Sequence, residues 1–159
     1  PDVLILAKAL GGGMPLGAFI SDKSIMDCLK TNPHLGHITT FGGHPLSCTA
    51  AIASLEELLK SNVIQEVDQK GDLFRKLLQH EHIKEVRGQG LMLAVDLGNA
   101  EMAKNVIDIC FEKRLVTDWF LFSEQSIRIS PPLIITPTEI RVACKTLLGA
   151  IDQAAKQGS

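Results

Sequence analysis

The first residues with the chemistry of an active site are a lysine and the glycines that follow it. Lys8 comes directly after the apolar run VLILA at residues 3–7, and Gly11, Gly12 and Gly13 begin three residues after it. Three interpretations are open: a strand-end lysine in solvent, a point charge that holds a phosphate, or a nucleophilic amine with a pKa lowered by desolvation. Because glycine lets backbone approach a ligand closely, the spacing favours a bulky, flat ligand beside Lys8.

The order of these residues argues against a phosphate loop of the P-loop type. In that loop the glycines precede the lysine, and a helix follows it. Here the lysine comes first, and a glycine loop and the short apolar segment GAFI at 17–20 come after it. The glycines therefore do not predict a nucleoside triphosphate site.

A second glycine loop, TTFGGHP, contains the other groups that suit a phosphate. Thr39 and Thr40 precede Gly42 and Gly43, and Pro45 follows at a position typical of a helix start. Hydroxyls and turn N–H groups are natural phosphate partners. The alternative is a turn that needs the two glycines and uses the threonines as local caps. The pattern alone leaves both interpretations open.

The elements that must position these residues begin with strands at 3–7 and 17–20. The continuous apolar character of 3–7 predicts a strand covered on both faces. A short helix capped by Ser21 or Asp22 follows, and the helix from Pro45 shows an apolar stripe that predicts one buried face. Asn62 breaks that helix, and another begins near Val63.

The second half of the chain alternates between strands and helices. We predict a strand at 90–97, a helix at 100–114, extended segments at 115–122 and 126–130, and a last helix to about Lys156. Thr136 and Glu139 have the spacing of a capping box at the start of that helix. The alternation predicts an α/β protein with two parts, 1–61 and 62–159.

Composition limits the classes of function. The 159 residues are 45% hydrophobic and 21% charged, with a net charge of −2, so nothing electrostatic predicts binding to nucleic acid or a membrane surface. No apolar run approaches the roughly 20 residues of a membrane span. The four cysteines are widely spaced, which predicts no metal site and a reduced, cytoplasmic protein. The chain begins on a strand without methionine, and we expect it to be part of a longer protein.

Four blocks in order carry a resemblance to a known family. They are LILAKALGGGMPLGAFI, HITTFGGHPLSCTAAIASLE, EVRGQGLMLAVDL and IRISPPLIIT. Together they resemble the class III aminotransferases that use pyridoxal 5'-phosphate, the group that contains ornithine and acetylornithine aminotransferases. The resemblance implies the fold-type-I architecture, with 1–61 as the end of a large parallel-sheet domain and 62–159 as a small C-terminal α/β domain.

The resemblance also implies roles for individual residues. Lys8 matches the lysine that forms the Schiff base with the cofactor, and Thr40 matches a threonine that contacts the cofactor phosphate across a homodimer interface. Thr39 lies where a neighbouring hydroxyl assists. Arg128 matches an arginine that binds the substrate carboxylate, for which a bidentate guanidinium is suited. Without the resemblance, a surface ion pair at a strand end would be favoured for Arg128.

The implied activity is transfer of an amino group between an amino acid, ornithine-like, acetylornithine-like or another ω-amino donor, and a 2-oxo acid. Alternatives are a racemase, aminomutase or decarboxylase on the same fold, or a noncatalytic module that binds a phosphate ligand. One departure is His44, where many members have asparagine; we interpret it, like Arg87, as structural. The family's other cofactor contacts would lie upstream, so we expect these residues alone to be poorly active.

Overall fold

The computed structural model describes residues 1–157, and the chain divides into two units. The first ends at Asn62 and the second begins at Val63, close to the boundary placed at residue 61 from sequence. Both units contain strands and helices, so the chain is an α/β protein. None of the helices within residues 1–157 is long and apolar enough to cross a membrane.

The first unit holds a two-stranded sheet and two helices. The strands run antiparallel, with Val3 opposite Ser21 and Leu6 opposite Ala18. Its elements are β1 (Val3–Leu6), β2 (Ala18–Ser21), α1 (Lys23–Met26) and α2 (Pro45–Lys60). Pro45 opens α2 as the sequence predicts, because the first turn of a helix needs no N–H there.

Two expectations about burial in the first unit are wrong for this chain. Strand β1 is not covered on both faces, since Ile5 is 77% exposed. Helix α2 buries Ala51, but Ile52 and Leu59 of its apolar stripe are 59% and 67% exposed. The physical reason is that a two-stranded ribbon and one long helix supply too few layers to cover two apolar faces.

The second unit is a four-stranded antiparallel sheet with three helices. The strand order is β3–β4–β6–β5, and every strand pair in residues 1–157 is antiparallel. The parallel strands that the resemblance implies are therefore not among the described residues. The elements are α3 (Val63–Leu77), β3 (Glu85–Gln89), β4 (Met92–Asp96), α4 (Ala100–Glu112), β5 (Asp118–Phe120), β6 (Ser123–Ile129) and α5 (Pro137–Gln157).

The core of the second unit lies between the sheet and its helices. Leu93 and Val95 of β4 and Ile127 of β6 are fully buried, where β6 packs against α4 and α4 packs against α5. Because side chains alternate along a strand, Asp96 and Arg128 project from the opposite face of the sheet. Core packing on one face thus fixes the strand that presents Arg128 on the other.

Strand β3 is an element that the sequence analysis missed. Charged residues stand at alternate positions of its sequence EVRGQ, and Gly88 follows Arg87. The sequence therefore predicts only a structural arginine in this segment. The available signal was Gly90, whose φ of 54° begins a two-residue turn between Gln89 and Met92. A glycine in such a turn between two extended segments is typical of a β-hairpin.

Candidate active site

Lys8 lies two residues beyond the end of β1, on a 3₁₀ turn over Lys8–Gly11. Its side chain is exposed, and its backbone has a φ of 56°. This left-handed conformation costs a residue with a Cβ roughly 1–2 kcal/mol, and glycine or asparagine would adopt it more readily. Conformational preference therefore does not explain a lysine here, and such strain is typical of functional sites.

The glycine loop after Lys8 serves partly to pack the chain against α2. A Cβ on Gly12 would lie 2.5 Å from the carbonyl oxygen of Ala50 and 2.9 Å from Cβ of Ser54. Gly12 is thus required by its contact with α2, and room for a ligand beside the loop stays a prediction. Gly13, with a φ of 94°, has nothing within 4 Å of its Cβ position, so only there does the loop leave open space.

The Thr39–Thr40 turn leads into the N-terminus of α2. The N–H of Gly42 donates to the carbonyl of Thr39 at 3.1 Å, and the N–H of His44 donates to that of Phe41 at 3.2 Å. Both threonines are exposed. A Cβ on Gly42 would lie 2.7 Å from Oγ1 of Thr39, so glycine at this position leaves room for that hydroxyl.

The first turn of α2 carries no side-chain cap. His44 occupies the N-cap position without a side-chain hydrogen bond to the helix, and its ring lies 6.3 Å from that of Phe41. Uncapped N–H groups at the start of a 16-residue helix favour an anion, because they point outward and carry the positive end of the helix dipole. His44 therefore contributes to the turn, and the groups at this helix start that suit a phosphate are the threonine hydroxyls and the helix N–H groups.

Both glycine loops adjoin helix α2, at different points along it. The Lys8 turn packs on α2 through Gly12 against Ala50, whereas the Thr39–Thr40 turn precedes Pro45. At 1.5 Å per residue, Ala50 lies about 7.5 Å along the axis from Pro45. An exposed amine suits an aldehyde, and an uncapped helix N-terminus next to two exposed hydroxyl groups suits a phosphate; in a dimer these two sets of groups can serve the sites of different subunits. The residues of this unit thus fit pyridoxal phosphate.

Arg128 lies in the second unit, in the middle of the sheet. It is opposite Ala94 of β4 and Asp118 of β5, and its Nη2 donates to Oδ2 of Asp118 at 3.3 Å. The Arg128 side chain is 41% exposed. An ion pair with Asp118 is therefore present, as the alternative interpretation of Arg128 expected. The contact uses a single nitrogen at long distance, which leaves the rest of the guanidinium available for a carboxylate.

A cavity of about 740 Å³ opens beside Arg128. Its polar rim includes Thr117, Asp118 and Ser130, and its walls are mostly apolar. The hydroxyl of Thr117 donates to the carbonyl of Arg128 at 2.7 Å, so the strand is held at the residue that bears the guanidinium. This combination of an apolar cavity with few polar groups is typical of a small-molecule site.

Arg87 is bound within the sheet, as its structural interpretation requires. Its guanidinium donates to Asp96 at 2.8 Å and to the hydroxyls of Ser123 and Ser126, each at 3.1 Å. Burial opposes ionisation of Asp96, yet hydrogen bonds from Arg87 and from the N–H of Gly98 hold the pKa of that carboxyl below its ordinary value. Arg87 therefore joins β3 and β4 to β6.

Two polar residues of the second unit, Asp118 and Lys70, were missed from sequence. Asp118 was placed only within an extended segment, and nothing in the sequence paired it with Arg128. Lys70 had a usable signal, because it falls on the apolar stripe of α3 between Val67 and Phe74. It is buried, with a relative exposure of 7%, and lysine is almost never buried without a partner.

The fold and these sites agree with one family. The model of the class III aminotransferases matches residues 1–151, which is nearly the whole chain. The chain therefore belongs to the class III aminotransferase family.

Solved structures of aminotransferases with different substrates resemble this chain. An adenosylmethionine-8-amino-7-oxononanoate aminotransferase from Methanocaldococcus jannaschii is 32% identical, with a TM-score of 0.81 over 96% of this chain and 39% of its own. Acetylornithine aminotransferase from Elizabethkingia anophelis is also 32% identical, with a TM-score of 0.83 and the same two coverages of 96% and 39%.

A third similar structure was determined with the cofactor partly bound. Ornithine aminotransferase from Toxoplasma gondii is 29% identical, with a TM-score of 0.85 over 99% of this chain and 38% of its own; pyridoxal phosphate has partial occupancy at its active site. The chain thus spans about two fifths of the length of these relatives.

Proposed function

We propose that this chain provides the cofactor lysine and the substrate-carboxylate arginine of an aminotransferase that uses pyridoxal 5'-phosphate. The observation that carries the proposal is Lys8, an exposed lysine in a left-handed conformation two residues after β1, in a chain of the class III family. The reaction moves an amino group from an amino acid to a 2-oxo acid. The names of the similar structures support ornithine, acetylornithine or another ω-amino donor.

Lys8 has two tasks in this proposal. Its amine holds the cofactor in the resting enzyme and is released when the amino group of the substrate takes its place. The free amine of Lys8 then removes a proton from the substrate carbon that bears nitrogen and later returns a proton to complete the transfer. The cofactor supplies the electron sink that makes this carbon acidic enough.

The threonine turn and Arg128 orient the two ligands. The hydroxyls of Thr39 and Thr40 and the first N–H groups of α2 bind the cofactor phosphate. Arg128 binds the carboxylate of the amino acid or oxo acid, using the guanidinium nitrogens that Asp118 leaves unoccupied. The enzyme is proposed to be a homodimer in which Thr40 serves the site of the other subunit, and the four free cysteines support a cytoplasmic location.

The role of Lys8 is tested on the full-length protein with added pyridoxal phosphate. We expect a visible absorption band, a borohydride-stable label on Lys8, and turnover only when both an amino donor and a 2-oxo acid are present. Lys8→Ala abolishes the label and turnover, whereas Lys104→Ala, an exposed lysine of α4, leaves both intact. A fully active Lys8→Ala variant would refute the proposal, and turnover without an oxo acid would favour another reaction of the same cofactor.

The contribution of Thr40 across the interface is tested by mixing two inactive or weakened variants. Consider a dimer of one Lys8→Ala subunit and one Thr40→Val subunit, in which each site takes Lys8 from one subunit and Thr40 from the other. One of its two sites then has both native residues, and the other site has both defects. Mixing therefore restores activity if Thr40 acts across the interface. If Thr40 serves its own subunit, each site keeps one defect, and mixing restores nothing.

A further inference from the structure

Lys70 of α3 is a buried cation that the proposed reaction does not use. Its side chain is 8% exposed and its Nζ lies 2.9 Å from Oε2 of Glu66, one helical turn earlier. The same nitrogen donates to the carbonyl oxygen of Leu133 at 2.7 Å. Burying an ammonium group is costly unless it is hydrogen-bonded, so an apolar side chain would fill this helix position at lower cost. The position of Lys70 therefore indicates a role for its bond to Leu133.

The bond from Lys70 holds the segment that follows the strand of Arg128. Leu133 lies between β6 and α5, five residues after Arg128, and Pro131 and Pro132 stand between them. Each proline has a fixed φ and no N–H to donate, so this segment is stiff but has few hydrogen bonds of its own. One is the N–H of Ile135, which donates to the carbonyl of Pro132 at 3.0 Å. An anchor at Leu133 thus restrains the chain back to Arg128.

Helix α3, which carries Lys70, is itself attached to the sheet. Five residues after Lys70, Arg75 donates to the carbonyls of Val86 at 3.0 Å and Gly88 at 2.6 Å, which attaches α3 to β3. Helix α3 therefore connects β3, at one edge of the sheet, to the segment after β6. Since β3 and β6 are separated by β4, this connection spans the sheet independently of strand pairing.

The segment that Lys70 holds is also a wall of the cavity beside Arg128. Ser130, Pro131, Pro132 and Ile135 line that cavity together with Arg128. A shift of the segment would change both the width of the cavity and the position of the guanidinium. Small displacements of binding groups have large effects on reaction rates, with about 1 Å costing up to a hundredfold.

We propose that Lys70 is a positioning residue for substrate binding, which fixes the Ser130–Ile135 segment and through it the carboxylate grip of Arg128. The inference rests on the proposed role of Arg128. Lys70 touches neither substrate nor cofactor, so its effect is confined to substrates that Arg128 binds. The KM for an amine donor without a carboxylate therefore does not depend on Lys70.

The experiment compares Lys70→Met with Lys76→Met, an exposed lysine on the same helix, in the full-length enzyme. We expect Lys70→Met to raise KM for a 2-oxo acid about tenfold, with little change in kcat, in the cofactor absorption band or in KM for a carboxylate-free amine. Lys70→Arg, which keeps a donor, restores part of the loss, and Lys76→Met behaves as wild type. If Lys70→Met does not fold, Lys70→Gln is measured in its place.

The outcomes separate this inference from the proposed function. A wild-type KM for the oxo acid in Lys70→Met or Lys70→Gln, or an equal rise in KM for the carboxylate-free amine, overturns the positioning role. Arg128→Gln is measured in parallel. If it raises KM for the oxo acid while the Lys70 variants do not, only the inference fails. If Arg128→Gln leaves KM unchanged, the role of Arg128 fails and the inference falls with it.

Discussion

Gly71 of α3 lies directly against the carbonyl oxygen of Gly90, the first residue of the turn between β3 and β4. A Cβ on Gly71 would fall well inside the van der Waals contact distance to that oxygen and only 3.1 Å from the Cα of Gly90. Gly71 therefore allows α3 to pack closely against this β-turn.

Replacing Gly71 with alanine should destabilise the second unit. Both atoms that the new methyl group meets are backbone, so neither can move without shifting α3 or the β-hairpin, and overpacking of this kind costs about 1–3 kcal/mol. Urea unfolding should show a lower midpoint for Gly71→Ala. The matched control is Gly149→Ala in α5, which has nothing within 4 Å of its Cβ position and should gain roughly 0.5–1 kcal/mol. Equal midpoints for the two variants would contradict the packing argument.

Local signals in the sequence were sufficient for several elements. The Thr136–Glu139 capping box is present: Oε2 of Glu139 accepts from the N–H of Thr136 at 2.8 Å and from its hydroxyl at 2.7 Å. Pro45 begins α2, and the stripe that includes Ile140 and Ile151 is buried in α5. These features depend on residues within a few positions of one another, which is why the sequence predicts them.

Features that depend on distant residues were not predictable in the same way. Gly12 faces Ala50, and Lys70 reaches Leu133, 63 residues away. The exposure of Ile5 depends on which layers cover β1, and its own apolar character does not determine that. Lys8, Thr40 and Arg128 were selected through a resemblance of whole sequence blocks, so their roles in this chain stay predictions that the proposed mutants test.

The Arg87–Asp96 pair should make stability fall in acid. The pKa of Asp96 is lowered in the folded state, so its contribution is fully present above the unfolded value near 3.9 and is lost as pH falls through the lower folded value. We expect Asp96→Asn to lose about 1 kcal/mol at pH 7, a low value because Arg87 is 39% exposed. The variant should then lose less stability than wild type as pH falls below about 4.

Urea unfolding at several pH values measures this difference. The stability of Asp96→Asn should still fall somewhat in acid, because the pKa of Glu139 is also lowered. The cause is the hydrogen bonds that Glu139 accepts, first from the N–H of Thr136 and second from its hydroxyl. Asp72→Asn, which removes an exposed carboxylate from α3, is the control. If the free energies of unfolding of wild type and Asp96→Asn fell in parallel through the acid range, Arg87 would not act through the charge of Asp96.

The four free cysteines should react with thiol reagents at very different rates. Burial raises the pKa of the Cys110 thiol to about 11, against a smaller opposing effect of Lys113, and burial raises that of Cys144 to about 11 as well. Cys28 is exposed and Cys48 half-buried. Because the thiolate is the reactive form, we expect native protein near neutral pH to label at Cys28 first and at Cys48 more slowly.

Cys110 and Cys144 should label only after unfolding, which mass spectrometry of the modified peptides would detect. Their raised pKa values also imply that stability is fully present below the ordinary thiol pKa of about 9 and is lost as pH rises towards about 11. In Cys110→Ala, the loss of stability at alkaline pH should be smaller than in wild type. Rapid native labelling of either buried thiol would mean that the contact between α4 and α5 opens readily.

The two units of the 159-residue chain should differ in local stability. Among residues 1–157, Ala51 is the one buried hydrophobic side chain of the first unit, whereas the second unit contains a continuous core from Phe74 to Ala154. Local opening is easiest where few apolar contacts must break. In hydrogen exchange, the amides of β1 and β2 should therefore exchange faster than those of β4 and β6, although both pairs are hydrogen-bonded as antiparallel strands. Exchange at equal rates in the two sheets would mean that the exposed apolar side chains of β1 are covered in solution, for example by self-association. Dilution of the sample would then restore fast exchange in the first unit alone.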